Sequence, residues 1–284
     1  MNLFGALLLL LGGAQTPLED LGGADPEPLE RVCVIGASVT HGLDFSLGLG
    51  EVLDATLVSE HEPVESNANL LFFTDPVGKG KEQLAFVEEQ DATLVIAVDF
   101  LFWFAYGTRN AQDERLRDDS ERLGRLQLGL DLVDAALAER TIPIVLGDFP
   151  DMSESIGRQL HLLQVPSRES LKELNALLHG WAKEREHVIL IPLATSIERI
   201  RADQEVTLGR QTWPAGSADL LLSEDRLHPT VEGTVAIAHA VAVALVECDL
   251  VAERDVDLDL AAVFDRLGEP VPEEVELPEQ EAGR

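Results

Sequence analysis

Two short stretches, almost two hundred residues apart, carry side chains suited to nucleophilic catalysis. The first is Val32 to Gly42, VCVIGASVTHG, in which an apolar run ends at Gly36 and Ser38 follows where the chain must turn out of a sheet toward a helix. A hydroxyl there stands at the functional edge of the sheet, and the amides beside it can face developing negative charge. A serine so placed can also be a simple turn or capping residue, so it needs a partner. The second stretch, Asp225-Arg226-Leu227-His228-Pro229-Thr230, supplies one. A carboxylate three residues before a histidine can accept from imidazole Nδ1–H and leave Nε2 free to take a proton from a hydroxyl. Pro229 and Thr230 would fix that loop onto the following helix.

Positioning these groups requires a sheet. Val32 to Ile35, Thr93 to Val98, Ile142 to Leu146 and Val188 to Ile191 are short apolar runs rich in β-branched residues, as expected for strands buried on both faces. Between them, Leu126, Leu130, Val133 and Leu137, and then Leu171, Leu174, Leu178 and Trp181, recur at helical spacing. Alternating strands and helices predict an α/β fold with a parallel sheet covered on both faces, and a flavodoxin-like order 2-1-3-4-5 puts a ligand beside the first strand. A second strand is expected either around Thr56 to Val58 or around Leu70 to Phe73. A last helix, Val231 to Val246, is apolar all round and takes Thr230 as its N-cap.

With those elements around them, GASVTHG and DRLHPTVEG resemble the end blocks of the SGNH, or GDSL, hydrolases. The resemblance implies a three-layer α/β/α sandwich of about five strands, a Ser-His-Asp triad of Ser38, His228 and Asp225, no metal or other cofactor, and cleavage of carboxylic esters, often on lipids or acetylated sugars. Ala37 stands where the family usually has Asp. The middle blocks depart further. The family's oxyanion-hole Asn corresponds to Asp99, and an ionised carboxylate accepts and does not donate. At roughly 4 Å from a forming oxyanion and an effective dielectric near 20, it would repel by about 4 kcal/mol. Three resolutions follow: Asp99 is protonated by burial beside Phe100, Phe102 and Trp103, it points elsewhere, or another donor serves. The amide of Ser38 and the side chains of Asn67 and Asn69 are the other candidates for that hole, although a polar loop explains the two asparagines equally well. The same departure leaves open a second reading, an SGNH-fold binding protein with little or no turnover. A nucleotide-binding reading fails because GASVTHG lacks the glycine spacing that a pyrophosphate needs.

The aromatic run after the third strand would wall an acyl or sugar pocket through Phe100 and Trp103, or simply pack the core. His41 is a further candidate for substrate contact. Asp148 and Asp151 read as turn carboxylates. No His/Cys cluster has zinc spacing, and no Gly-rich loop with Lys suggests a phosphate cradle.

Composition bounds the partners. Of 284 residues, 52 are acidic and 21 basic, a formal charge of −31 that repels phosphate backbones and anionic headgroups, so nucleic acid is not an expected partner; the resemblance implies a small-molecule, carbohydrate or lipid ester as substrate. Residues 1–14 carry a short apolar run ending in Gly12, Gly13 and Ala14. It reads either as a signal peptide for secretion or the periplasm or as a frayed apolar N-terminus of a cytoplasmic protein, and it is too short to span a bilayer. Residues 15–30 read as an acidic tether, 31–250 as the hydrolase-like domain, and 251–284 as an acidic extension whose last part is expected to be disordered. Cys33 and Cys248 are expected either to pair in an oxidising compartment or to remain buried free thiols.

Overall fold

The computed structural model describes residues 27–43, 47–137 and 140–275. The expected signal peptide and most of the tether lie outside the described residues, as do residues 276–284. Four of the five sheet strands fall on the apolar runs: Val32–Val34 (β1), Leu94–Ala97 (β3), Ile144–Gly147 (β4) and Val188–Ile191 (β5). The remaining one, Glu65–Ser66 (β2), pairs in parallel with β1, and the order is β2-β1-β3-β4-β5 with all neighbours parallel. Neither expected place for the second strand holds. Leu57 makes only an isolated antiparallel bridge to Val256, and Phe72–Thr74 is a 3-10 turn. An edge strand of two exposed polar residues has one ladder and no buried face, so it leaves no hydrophobic pattern to read.

Side chains alternate across each strand, which splits the core in two. Val32, Val34, Ile96 and Val145 face one layer of helices, Leu49–Thr56 (α2), Leu193–Arg201 (α7) and Val231–Glu247 (α9). Cys33, Ile35, Val95 and Leu146 face the other, Pro76–Glu89 (α3), Phe102–Ala105 (α4), Glu121–Leu137 (α5) and Arg168–Lys183 (α6). The result is a three-layer α/β/α sandwich. The described helices also include two single turns, Ser38–His41 (α1) and Ala218–Leu221 (α8), and a final amphipathic helix, Leu260–Leu267 (α10). Leu260, Val263 and Phe264 of α10 are buried in the first layer, against α2 and α9, and Val275 is buried as well. The extension beyond residue 250 therefore adds to the core. Cys33 is buried, Cys248 is exposed at the end of α9, and both are free. No helix among the described residues is long and apolar enough to cross a membrane.

A small antiparallel hairpin, Val206–Leu208 (β6) and Gln211–Trp213 (β7), lies over α9. His239 of α9 is 3% exposed beneath it, and its Nε2 accepts from the Arg210 amide at 3.2 Å. Burial, with the Arg210 charge nearby, pushes the imidazole down from 6.5 to about 4. The folded chain thus keeps His239 neutral where the unfolded chain protonates it. Its contribution is complete above pH 6.5 and is lost as pH falls from 6.5 toward 4, by roughly 3 kcal/mol. Urea unfolding at pH 7.5, 5.5 and 4.5 checks this. Wild type is expected to lose stability over that range relative to His239→Gln, and parallel curves would refute it.

Candidate active site

Ser38 opens α1 immediately beyond β1. The turn needs Gly36, whose φ of +154° suits glycine; a Cβ there would lie 2.1 Å from Asp99 Oδ1 and 2.6 Å from Thr40 Oγ1. His228 arrives from the far end of the chain, in the loop before α9. Asp225 Oδ1 accepts from the amides of Leu227 at 2.8 Å and His228 at 3.0 Å, which curls the loop around the carboxylate. Arg226 completes the curl at φ +57°. Thr230 caps α9 through the Gly233 amide, and Gly233 must lack a Cβ because one would meet the Leu221 carbonyl oxygen at 2.1 Å.

These constraints bring the two ends together. His228 Nε2 lies 2.8 Å from Ser38 Oγ, and His228 Nδ1 lies 2.6 Å from Asp225 Oδ2. His228 is only 4% exposed, so the ring has little room to rotate away. Burial pushes the Asp225 carboxyl up, but the imidazole N–H and the two backbone amides outweigh it and hold it at about 2. Asp225 is therefore ionised at neutral pH. With Nδ1–H donated to it, Nε2 presents a lone pair to the serine hydroxyl.

Asp99 does something the sequence did not disclose. It is 6% exposed, and its oxygens accept from Ala37 N at 2.8 Å, Val39 N at 2.9 Å, Thr40 N at 3.4 Å and Thr40 Oγ1 at 2.6 Å. It clamps the nucleophile loop from beneath and is not an oxyanion donor. Burial raises its carboxyl above the usual carboxylate range, and the four donors offset only part of that rise. Gln83 of α3 helps from the side, its Nε2 donating to the carbonyls of Gly36 and Asn67, both at 2.7 Å. Among the described residues the Ser38 amide has no acceptor, which leaves it available for an oxyanion. Asn69 Oδ1 accepts from Leu71 N at 2.8 Å, and neither Asn67 nor Asn69 lines the cavity at Ser38.

Asp99→Asn separates the two assignments of this residue. In the clamp, an amide keeps one accepting oxygen and turns an NH2 group toward buried donors, so stability should fall by roughly 2–3 kcal/mol and kcat by about 10²-fold as the loop shifts. In an oxyanion hole, the same change would add a donor and raise kcat. Thermal unfolding with steady-state ester kinetics distinguishes the two.

Next to Ser38 and His228 lies a cavity of about 260 Å³. Leu70, Phe73, Trp103, Leu160 and Leu227 form much of its wall, and Gln159 and Gln164 are its polar members. Trp103 lines this cavity, whereas Phe100 is fully buried against Phe72 and Phe104 in the core. His41 is exposed, with Nδ1 2.9 Å from its neighbour's carbonyl at Gly42, and it does not line the cavity. Asp148 instead accepts from Ala194 N at the start of α7, and Asp151 pairs with Arg201. In sequence, Leu70 and Phe73 gave only the signal of a possible second strand. Gln159 and Gln164 gave none.

No family model and no curated protein matches the sequence. Solved structures similar to it include an acetylxylan esterase, Axe2, from Geobacillus stearothermophilus (17% identity, 79% of this chain and 97% of that one, TM-score 0.47). They also include the lipase Lip_vut3 from a goat rumen metagenome (13%, 76% and 97%, 0.45). A third is LAE5, an alpha/beta hydrolase enzyme from the metagenome of Lake Arreo, Spain (16%, 76% and 94%, 0.47). The fold is α/β/α. At these identities and TM-scores the likeness carries no argument about chemistry, which rests on the site itself.

Proposed function

We propose that this chain is a serine hydrolase of the SGNH type that cleaves carboxylic esters, with Ser38 as nucleophile, His228 as base and then acid, and Asp225 as the group that orients His228. The observation that carries this reading is the unbroken hydrogen-bonded line from Asp225 through His228 to Ser38, which joins residues 190 positions apart. Ser38 Oγ attacks the acyl carbon while its proton passes to His228 Nε2, and the carbonyl oxygen becomes an oxyanion facing the Ser38 amide. Collapse breaks the ester C–O bond, and His228 returns the proton to the departing alcohol. Water then enters, gives a proton to His228 and attacks the acyl-enzyme. Its collapse restores the Ser38 hydroxyl with that proton and releases the carboxylic acid. No cofactor enters these steps. The apolar run within residues 1–14 supports export, and the surface charge supports a substrate without a strongly anionic group.

The experiment is hydrolysis of p-nitrophenyl butyrate by purified protein, expected to saturate and to be abolished by covalent serine inhibitors. One observation favours a second reading, a binding protein on the same frame: Asp99, which the sequence resemblance aligns with the family's oxyanion-hole Asn, is spent as an acceptor beneath the nucleophile loop. Loss of one such donor costs about 10² to 10³ in rate. That reading predicts ligand binding that survives Ser38→Ala, with no turnover by either protein.

A further inference from the structure

The cavity beside Ser38 is small, and apolar side chains form much of its wall. At about 30 Å³ per water-sized group, 260 Å³ holds roughly eight or nine non-hydrogen atoms, more than an acetyl group occupies and less than a long fatty chain. Among the described residues, no Asp, Glu, Lys or Arg lines it. A second cavity borders Asp225 and is lined by Arg158, Asp219, Glu224 and Arg226 among others, so an alkyl chain placed there would desolvate ions and gain little. Two large side chains at the first cavity remain partly in water, Phe73 at 47% exposed and Leu70 at 38%, with the Phe73 ring 5.6 Å from that of Trp103. An alkyl chain laid between them would remove that apolar surface from water.

We infer that this cavity is an acyl-chain site that sets the enzyme's preference at straight chains of about six to eight carbons, with Leu70, Phe73 and Trp103 as the specificity-determining side chains. The inference rests on the hydrolase reading above and goes beyond it. The chain belongs to the acyl half of the ester for a kinetic reason. The acyl group stays bonded to Ser38 through both chemical steps, whereas the alcohol leaves after the first, so only acyl contacts are available to both transition states.

The test is kcat/KM for p-nitrophenyl esters from acetate to dodecanoate, below their micelle-forming concentrations, beside an acetate series of lengthening alkyl alcohols. Full burial of a methylene is worth up to about fourfold in kcat/KM; at about half that free energy, roughly twofold each, the six methylenes from acetate to octanoate give an expected total rise approaching 10²-fold, with no gain from octanoate to dodecanoate. The alcohol series should be flat. Leu70→Trp, which fills the mouth of the cavity, should lower the octanoate-to-acetate ratio by tenfold or more. Acetate equal to or faster than octanoate, or a length dependence confined to the alcohol, would overturn the acyl site while leaving the hydrolase reading intact. Absence of turnover on every ester, with no phosphonylation of Ser38, would remove both.

Discussion

Ser38→Ala is expected to lower kcat on p-nitrophenyl esters by about 10⁵ to 10⁶, the loss that follows when the nucleophile of a coupled triad is deleted. The fold should be nearly untouched. Ser38 Oγ has one hydrogen-bond partner among the described residues, His228 Nε2, and the loop is held by Asp99 and Gln83 through backbone atoms that alanine retains. A change in melting temperature of no more than a few degrees, with KM or inhibitor affinity close to wild type, would place the whole loss in chemistry. A fall of less than tenfold in kcat would mean that some other group attacks the ester. His228→Ala is not a substitute for this experiment, because it also removes a buried ring from the loop that leads into α9.

Asp225→Asn should produce the next largest loss, about 10⁴-fold in kcat, with the loop geometry largely kept. The asparagine oxygen can still accept from the amides of Leu227 and His228, as Asp225 Oδ1 does. Its NH2 group then faces His228 Nδ1, which must accept, so the ring's only proton moves to Nε2 and points at the serine. Two donors confront each other where a base and an acid should meet. Wild-type Asp225, held at about 2, avoids this throughout the neutral range. The same depression is a stability statement. Asp225 contributes above the ordinary carboxylate value near 4 and loses that contribution as pH falls through about 2, on the order of 1 kcal/mol after screening at a partly exposed site. Acid unfolding of the Asn variant should lack that component. Equal kcat for the variant and wild type would show that nothing needs to orient His228.

What could be read in the sequence follows the strength of the physical signals. β1, β3 and β4 are buried on both faces, so each appears as an uninterrupted apolar run; β5 lies at the edge yet keeps the same run through its contacts with α9. The loops at Ser38 and Asp225 to His228 are legible because each packs its function into three to six consecutive residues, and the sheet order then brings them to one edge. β2 leaves no trace, since Glu65 and Ser66 are exposed and make only main-chain pairs. Asp99 shows the limit most clearly. Its position beyond β3 was evident, but only the backbone path of residues 37–40 determines whether its carboxylate faces a substrate or the amides beneath Ser38. Phe100, in the turn before α4, and Trp103, on α4, divide between core and cavity for a similar reason: the direction each side chain takes is set by the backbone path and not by composition. The wall made by Leu70, Phe73, Gln159 and Gln164 joins two loops distant in sequence, and Gln83 reaches the site from a helix, so no local pattern announces them.

An activated Ser38 would be captured covalently by a phosphonylating reagent. Purified protein incubated with an alkyl fluorophosphonate and analysed by intact and peptide mass spectrometry should gain one phosphonyl group, located on the peptide that carries Ser38 and missing from Ser38→Ala. A protein that stays unmodified while a serine esterase in the same tube is fully labelled, or an adduct on any other residue, would contradict the account.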